Sequence, residues 1–235
     1  NGGHASTPVK GTPIARLSAF VNEVETHSPF RKKMLPEVSA MFTALAPYAG
    51  FGMKLVFGNL WLFGPLLKAV MPSLSAQAGA MLKTTIAFTV QKGSDAYNVL
   101  PQEAYVGANM RFIPHQGEKE SLEIIKKVAD KYGLETEVLH ANDYTPPVDI
   151  HGEAFHLVEQ TIADTFPGLP SSPYVMTGAT DAQFYQPICK SCIRFAPVIY
   201  GPEQMKGMHG LNENIEYNCL PGAVRFYKNL IRAEK

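Results

Sequence analysis

The stretch 104–133, "AYVGANMRFIPHQGEKESLEIIKKVADKYG", carries two hydrophobic periods in succession. Over 104–113 the side chains alternate, so Tyr105, Gly107, Asn109 and Arg111 would share one face of a strand and Val106, Ala108, Met110 and Phe112 the other. From Glu118 the period becomes helical, with Leu122, Ile125 and Val128 turned inward, and Gly133 ends the helix. Upstream, "TTIAFTV" at 84–90 is β-branched and aromatic and predicts a strand, with a turn at 92–95. Further upstream, Thr12 is placed to cap a helix over 12–26, with Pro13 in its first turn and Ile14, Leu17, Val21 and Val24 at helical spacing. Downstream, 135–140 alternates polar and apolar and predicts a further strand.

The order is therefore helix, strand, strand, helix, strand, interrupted by a helical insertion at about 34–80. One strand before residue 1 would complete a ferredoxin-like βαββαβ split. The opening residues, "NGGHAST", supply a glycine pair where that strand would end, so the natural chain is expected to begin earlier. Within the insertion, "LAPYAGFGMKLVFGNLWLFGPLLKAV" at 45–70 is the most apolar run, but Lys54, Lys68, Pro47, Pro65 and several glycines interrupt it. It falls short of the roughly 20 uninterrupted apolar residues of a membrane span and reads as two or three short, mostly buried helices. A membrane surface is accordingly disfavoured as a partner, with the alternative that Trp61 and the phenylalanines sit at an interface.

The chain has 235 residues, 46% hydrophobic and 18% charged, values suited to a globular protein with one large domain or two small ones. A formal net charge of zero gives no field to hold nucleic acid. Three cysteines, Cys189, Cys192 and Cys219, do not make a disulfide framework. The Cys189-Lys-Ser-Cys192 spacing has no second CxxC to complete a zinc ribbon, and reads as two ordinary thiols on a buried strand.

Beyond a linker at Tyr144-Thr-Pro-Pro147, a helix is predicted over 152–166, short strands at 174–176 and 192–197, and a terminal helix over 215–231 carrying Val224, Phe226 and Leu230. This half resembles the end of an α/β sheet. Its loop Thr177-Gly-Ala-Thr-Asp181 leads into a helix whose backbone N–H groups could hold an anion or a carbonyl oxygen, or which Thr180 or Asp181 could cap. His209 lies between glycines in "GMHGLNENIEY", with Glu213 four residues on; it is either a metal ligand or a solvated loop histidine. No HExxH is present, and His151 and His156 are five apart, off the spacing of a helical metal pair. Arg111 could clamp a carboxylate or serve as a surface ion-pair partner.

"GGHAST", "NVLP", "ANMRFIPHQ", "TGATDAQFY" and "MHGLNENI" occur in one order, and in that order the chain resembles the di-zinc aminoacylase and carboxypeptidase family. The family includes succinyl-diaminopimelate desuccinylase. The resemblance is greatest to the carboxypeptidase S and N-acyl-amino-acid hydrolase branch, in which an apolar insertion also precedes a "TTIAFTV"-like strand. It implies a lid or dimerisation domain over 1–145 and the C-terminal part of an α/β zinc-peptidase catalytic domain over 146–235. It implies a homodimer formed through the lid, with His4 reaching the partner's active site to hold the tetrahedral oxyanion. It implies that Asn98, Arg111, Gly178 and Thr180 bind a substrate with a free carboxylate, and that His209 is one ligand of a two-zinc centre. The remaining ligands and the general base would lie before residue 1. The chain alone is then expected to be inactive, as a portion of an amidohydrolase or carboxypeptidase that cleaves an amide beside a free carboxylate. Gln183 departs from the pattern, since many relatives carry arginine there. The insertion would receive a long acyl chain or a hydrophobic side chain. The alternatives are a non-catalytic dimerisation and small-molecule-binding module, or a regulatory ferredoxin-like domain binding an amino acid, in which His209 has no role.

Overall fold

The computed structural model describes residues 2–142, 145–176, 178 and 180–234. Tyr144 of the expected linker and Thr177 and Ala179 of the expected cleft loop lie outside them. The elements are β1 (Gly3–His4), α1 (Pro13–Thr26), α2 (Pro36–Leu45), α3 (Phe51–Gly58), α4 (Leu60–Leu74), α5 (Ala76–Ala80), β2 (Thr85–Lys92), β3 (Val99–Leu100), β4 (Tyr105–Arg111), α6 (Glu118–Lys131), α7 (Glu153–Thr165), α8 (Ala182–Tyr185), α9 (Pro202–Gly207) and α10 (Leu220–Ala233). They fall into two compact units: residues 1–36 with 59–146, and residues 37–58 with 147–235.

In the first unit, β2 and β4 pair antiparallel from Thr85 opposite Arg111 to Lys92 opposite Tyr105, with a bulge between Phe88 and Val90. The alternation sets which side chains face inward. Val106 and Met110 pack on the core while Tyr105, Asn109 and Arg111 are exposed. Helices α1 and α6 contribute Phe20, Val24, Ile125, Val128 and Ala129 to that core, and Phe30 closes it. The rings of Phe20 and Phe88 meet edge to face at 5.7 Å, a favoured aromatic geometry. Thr12 caps α1 through its Oγ1, which accepts from the Ala15 N–H, as its sequence position requires. The Thr84 and Ser121 hydroxyls, both fully buried, lie 3.1 Å apart and join the entry of β2 to the first turn of α6.

Residues 135–140 and the helical insertion depart from the sequence pattern. Residues 135–140 form no strand, and Val138 and Leu139 are exposed. Alternation marks a two-faced segment, but a strand also needs a neighbour to pair with, and among the described residues no third strand joins β2 and β4. The described strands therefore form two separate two-stranded sheets, β1 with β3 and β2 with β4, in place of one split βαββαβ sheet. The insertion is helical as expected, but not mostly buried: α3 has no buried residue, and α4 buries only Leu67 and Met71.

The second unit is organised around α7 and α10. Phe226 is buried between them, its ring 4.8 Å from that of Phe195, and Asn229 Nδ2 donates to Thr165 Oγ1 across the helix pair. Within the same unit, Phe42 and Phe57 stack at 4.7 Å. Residues 174–176 and 192–197 are irregular, not strands. The 192–197 segment instead makes tight local bonds, such as Ile193 N–H to Ser191 O. Cys189 is exposed and Cys192 half-buried, so the two thiols sit on a loop and not on a buried strand. Val224 is exposed on α10, unlike its neighbour Phe226.

Candidate substrate-binding site

The first site element is built from two short segments far apart in sequence. Gly3 pairs with Leu100 and His4 with Val99, and the Ala5 N–H donates to Asn98 O at 2.9 Å. This ladder brings His4 and Asn98, two residues singled out in the sequence, onto one hairpin-like edge. Gly2 permits the approach: a Cβ there would lie 2.9 Å from Leu100 O and 2.6 Å from Gln102 Cγ. The chain then turns back at once, with Thr7 N–H donating to His4 O.

The His4 ring is held by Ser6, a residue the sequence reading passed over. His4 Nδ1 accepts from the Ser6 N–H at 3.3 Å and lies 2.8 Å from Ser6 Oγ. With Nδ1 accepting, a neutral imidazole carries its proton on Nε2, which is thereby a donor. The signal was present as a serine two residues after the histidine, the spacing of a local side-chain to backbone bond.

Arg111 closes β4 opposite Thr85 on the other sheet of the same unit. It is exposed and makes no ion pair among the described residues. By contrast, Arg31 is neutralised by Glu120 at 2.7 Å. Glu23, elsewhere in the unit, accepts from Lys131 and Tyr132; these bonds hold its carboxyl below the usual range and push the Tyr132 phenol up.

In the second unit, Gly178 is exposed and Thr180 Oγ1 is buried without a hydrogen-bond partner among the described residues. Neither Thr180 nor Asp181 caps α8 through its side chain, so the capping role open in the sequence is not used. His209 sits at the tip of the turn from Gly207 to Gly210 with φ of 59°, left-handed backbone that few non-glycine residues adopt. Its N–H donates to Glu213 Oε2 at 3.2 Å. His151 and His156 flank the start of α7: His151 N–H is bonded by Asp149 Oδ1, and His156 pairs with Glu159.

Residues 17–233 match the peptidase family M20/M25/M40. The chain belongs to this peptidase family. Among M20 relatives, it is 33% identical over 238 residues to the N-fatty-acyl-amino acid synthase/hydrolase PM20D1 of Xenopus tropicalis, covering 98% of this chain and 45% of that protein. The Homo sapiens PM20D1 is 32% identical, with 98% and 46% covered. The probable carboxypeptidase S-like 2 of Dictyostelium discoideum is 26% identical, with 98% and 44% covered. The fold is similar to that of the solved M20 metallo-carboxypeptidase Sso-CP2 from Sulfolobus solfataricus, with a TM-score of 0.53 at 14% identity over 98% of this chain and 54% of that one. The M20 chain thus spans about half the length of the curated relatives it matches.

A catalytic zinc takes about three protein ligands. Among the described residues no three His, Cys, Asp or Glu side chains come together to hold a metal ion. His209 with Glu213 does not by itself complete a zinc centre, and no metal step is derived from these two residues.

Proposed function

We propose that this chain is the substrate-recognising part of an M20 amidohydrolase or carboxypeptidase acting on an amide beside a free carboxylate. The observation that carries the reading is the His4 ring: Ser6 occupies Nδ1 and leaves Nε2–H as a donor at an exposed edge. A preorganised neutral donor of this kind suits the developing oxyanion of acyl transfer. Asn98, fixed beside it by the Ala5–Asn98 bond, would orient the substrate. Arg111, with no ion-pair partner among the described residues, would hold the substrate's free carboxylate bidentately. In the second unit, by itself, Gly178 would leave the backbone open to a ligand, and the Thr180 hydroxyl, without a partner among the described residues, would be free to bond it.

The names of the relatives, N-fatty-acyl-amino acid hydrolase and carboxypeptidase S-like, favour an N-acyl amino acid or a peptide C-terminus. Residues 1–145 would form a lid through which two copies pair, and 146–235 would belong to the catalytic domain. His209 would contribute one imidazole to a zinc centre whose other ligands lie outside the described residues. By itself the chain would bind such substrates without hydrolysing them.

The test is calorimetric titration of the purified chain with an N-acyl amino acid and with its amide, which lacks the carboxylate. The acid should bind and the amide should not. Arg111→Met should weaken acid binding by about ten- to a hundredfold, the loss of a charge-assisted pair. Equal binding of acid and amide, or an unchanged R111M, refutes the carboxylate clamp. After dialysis, elemental analysis should find little zinc; about two ions per chain would mean that these residues build the centre alone.

A further inference from the structure

Helix α4 presents a continuous apolar face to solvent. Leu62, Leu66, Val70 and Leu74 are exposed and recur every four residues, with exposed Trp61 and Pro65 beside the first two, so together they make a broad apolar surface. Trp61 is the only tryptophan in the chain and is 81% exposed. The opposite side is anchored by buried Leu67 and Met71, which fixes the stripe outward. The stripe runs for about 20 Å at 1.5 Å per residue and carries no charged side chain.

A chain that leaves an apolar surface of this length uncovered is set up to bury it on a partner. The surrounding charge selects the partner. No Asp or Glu occurs between Glu37 and Asp95, while Lys68 lies on α4 itself and Lys83 follows α5 in the same unit. Helix α5 packs back on α4, with Gly79 against Pro72, and the chain leaving it reaches Lys83. There the Lys33 N–H bonds Leu82 O, which draws the 31–33 loop, with Lys32, to the same place. Burial first, and the neighbouring charge of Lys32 second, push the Lys83 amine below its usual range. Lys83 has no ion-pair partner among the described residues.

An apolar stripe with tryptophan at its leading end, flanked by lysine and free of acid, is the pattern of a helix that lies in a lipid–water interface. No single described helix is long and apolar enough to cross a membrane, and α4 passes that test only as a bent pair with α3. The sequence alone places these helices in a core; the exposed stripe removes that reason for setting a lipid surface aside. We propose that the α4 stripe docks the protein on an anionic lipid surface, Trp61 and the leucines entering the acyl boundary and the lysines meeting the headgroups.

Trp61 makes the test direct, because it is the sole tryptophan reporter. The full chain is mixed with vesicles of phosphatidylcholine and phosphatidylserine at about three to one, and Trp61 emission and flotation are recorded. Emission should shift to the blue, the chain should float, and both should decline as salt is raised. Leu62→Asp and Leu66→Asp, exposed positions whose folding is checked by circular dichroism, should each lower partitioning by about tenfold or more. Absence of shift and flotation overturns the proposal, as does unchanged partitioning of folded L62D and L66D. Equal partitioning into phosphatidylcholine alone overturns the choice of an anionic surface. A blue shift that grows with protein concentration without vesicles assigns the stripe to a second copy. A shift produced by a soluble short-chain fatty acid, without flotation, assigns it to a single acyl chain; both results overturn lipid-surface docking.

Discussion

Replacing Thr84 by valine should destabilise the first unit far more than the loss of one oxygen implies. Thr84 and Ser121 are both fully buried, and each hydroxyl has the other as its hydrogen-bond partner at 3.1 Å. Valine keeps the shape of threonine but strands the Ser121 hydroxyl in a dry site, at a cost of about 1–3 kcal/mol. Ser121→Ala strands the Thr84 hydroxyl in the same way, at a similar cost of about 1–3 kcal/mol. The double variant leaves nothing unpaired, so its cost should fall back to the net value of one hydrogen bond, about 0.5–1.5 kcal/mol. The two substitutions should therefore couple favourably by about 1 kcal/mol or more. Urea unfolding of the wild type, both singles and the double, followed by far-ultraviolet circular dichroism, measures the cycle. Because Thr85, the next residue, faces Arg111 across the ladder, the singles should also weaken N-acyl amino acid binding. Additive costs, within about 0.5 kcal/mol, would show that the two hydroxyls are not each other's partner and refute the reasoning.

Gly2→Ala would set a Cβ 2.9 Å from the backbone oxygen of Leu100, so the β1–β3 ladder must part. Amide exchange at Ala5 should accelerate, and unchanged protection would count against the ladder. Phe226→Ala, which empties the space between α7 and α10 beside Phe195, should cost about 3–5 kcal/mol in urea unfolding; a loss below about 1 kcal/mol would mean that the second unit is not packed on this ring. Glu23 is held below the usual carboxylate range by Lys131 and Tyr132, so its contribution is present above that range and is lost as pH falls through the lowered value. Stability measured against pH should accordingly show a shallower acid limb in Glu23→Gln, and superimposable profiles would dismiss the contribution.

Where one residue decides a local structure, the sequence was readable. Thr12 and Pro13 start α1, Gly133 follows α6, and the alternation at 105–111 separated Val106 and Met110, which pack inward, from Arg111, which is exposed. The family followed from five short motifs in order. Residues 135–140, 174–176 and 192–197 misled because their composition suits a strand but pairing depends on a neighbour elsewhere in the chain. The α4 stripe misled differently: helical spacing identifies an apolar face without stating what covers it. The hydrogen bonds from Ser6 to His4 were missed because they matter only once β1 has paired with β3.

That pairing also governs the order in which the site assembles. Two rungs join His4 to Val99, across a loop containing α1, the helical insertion and β2, and so few bonds offset little of the entropy of closing it. The edge carrying His4 and Asn98 should therefore form last, after α1 and β2 have condensed with α6, and open first, well below the global unfolding threshold. Under mild denaturant or modest heating, substrate recognition should fade while helix content stays intact.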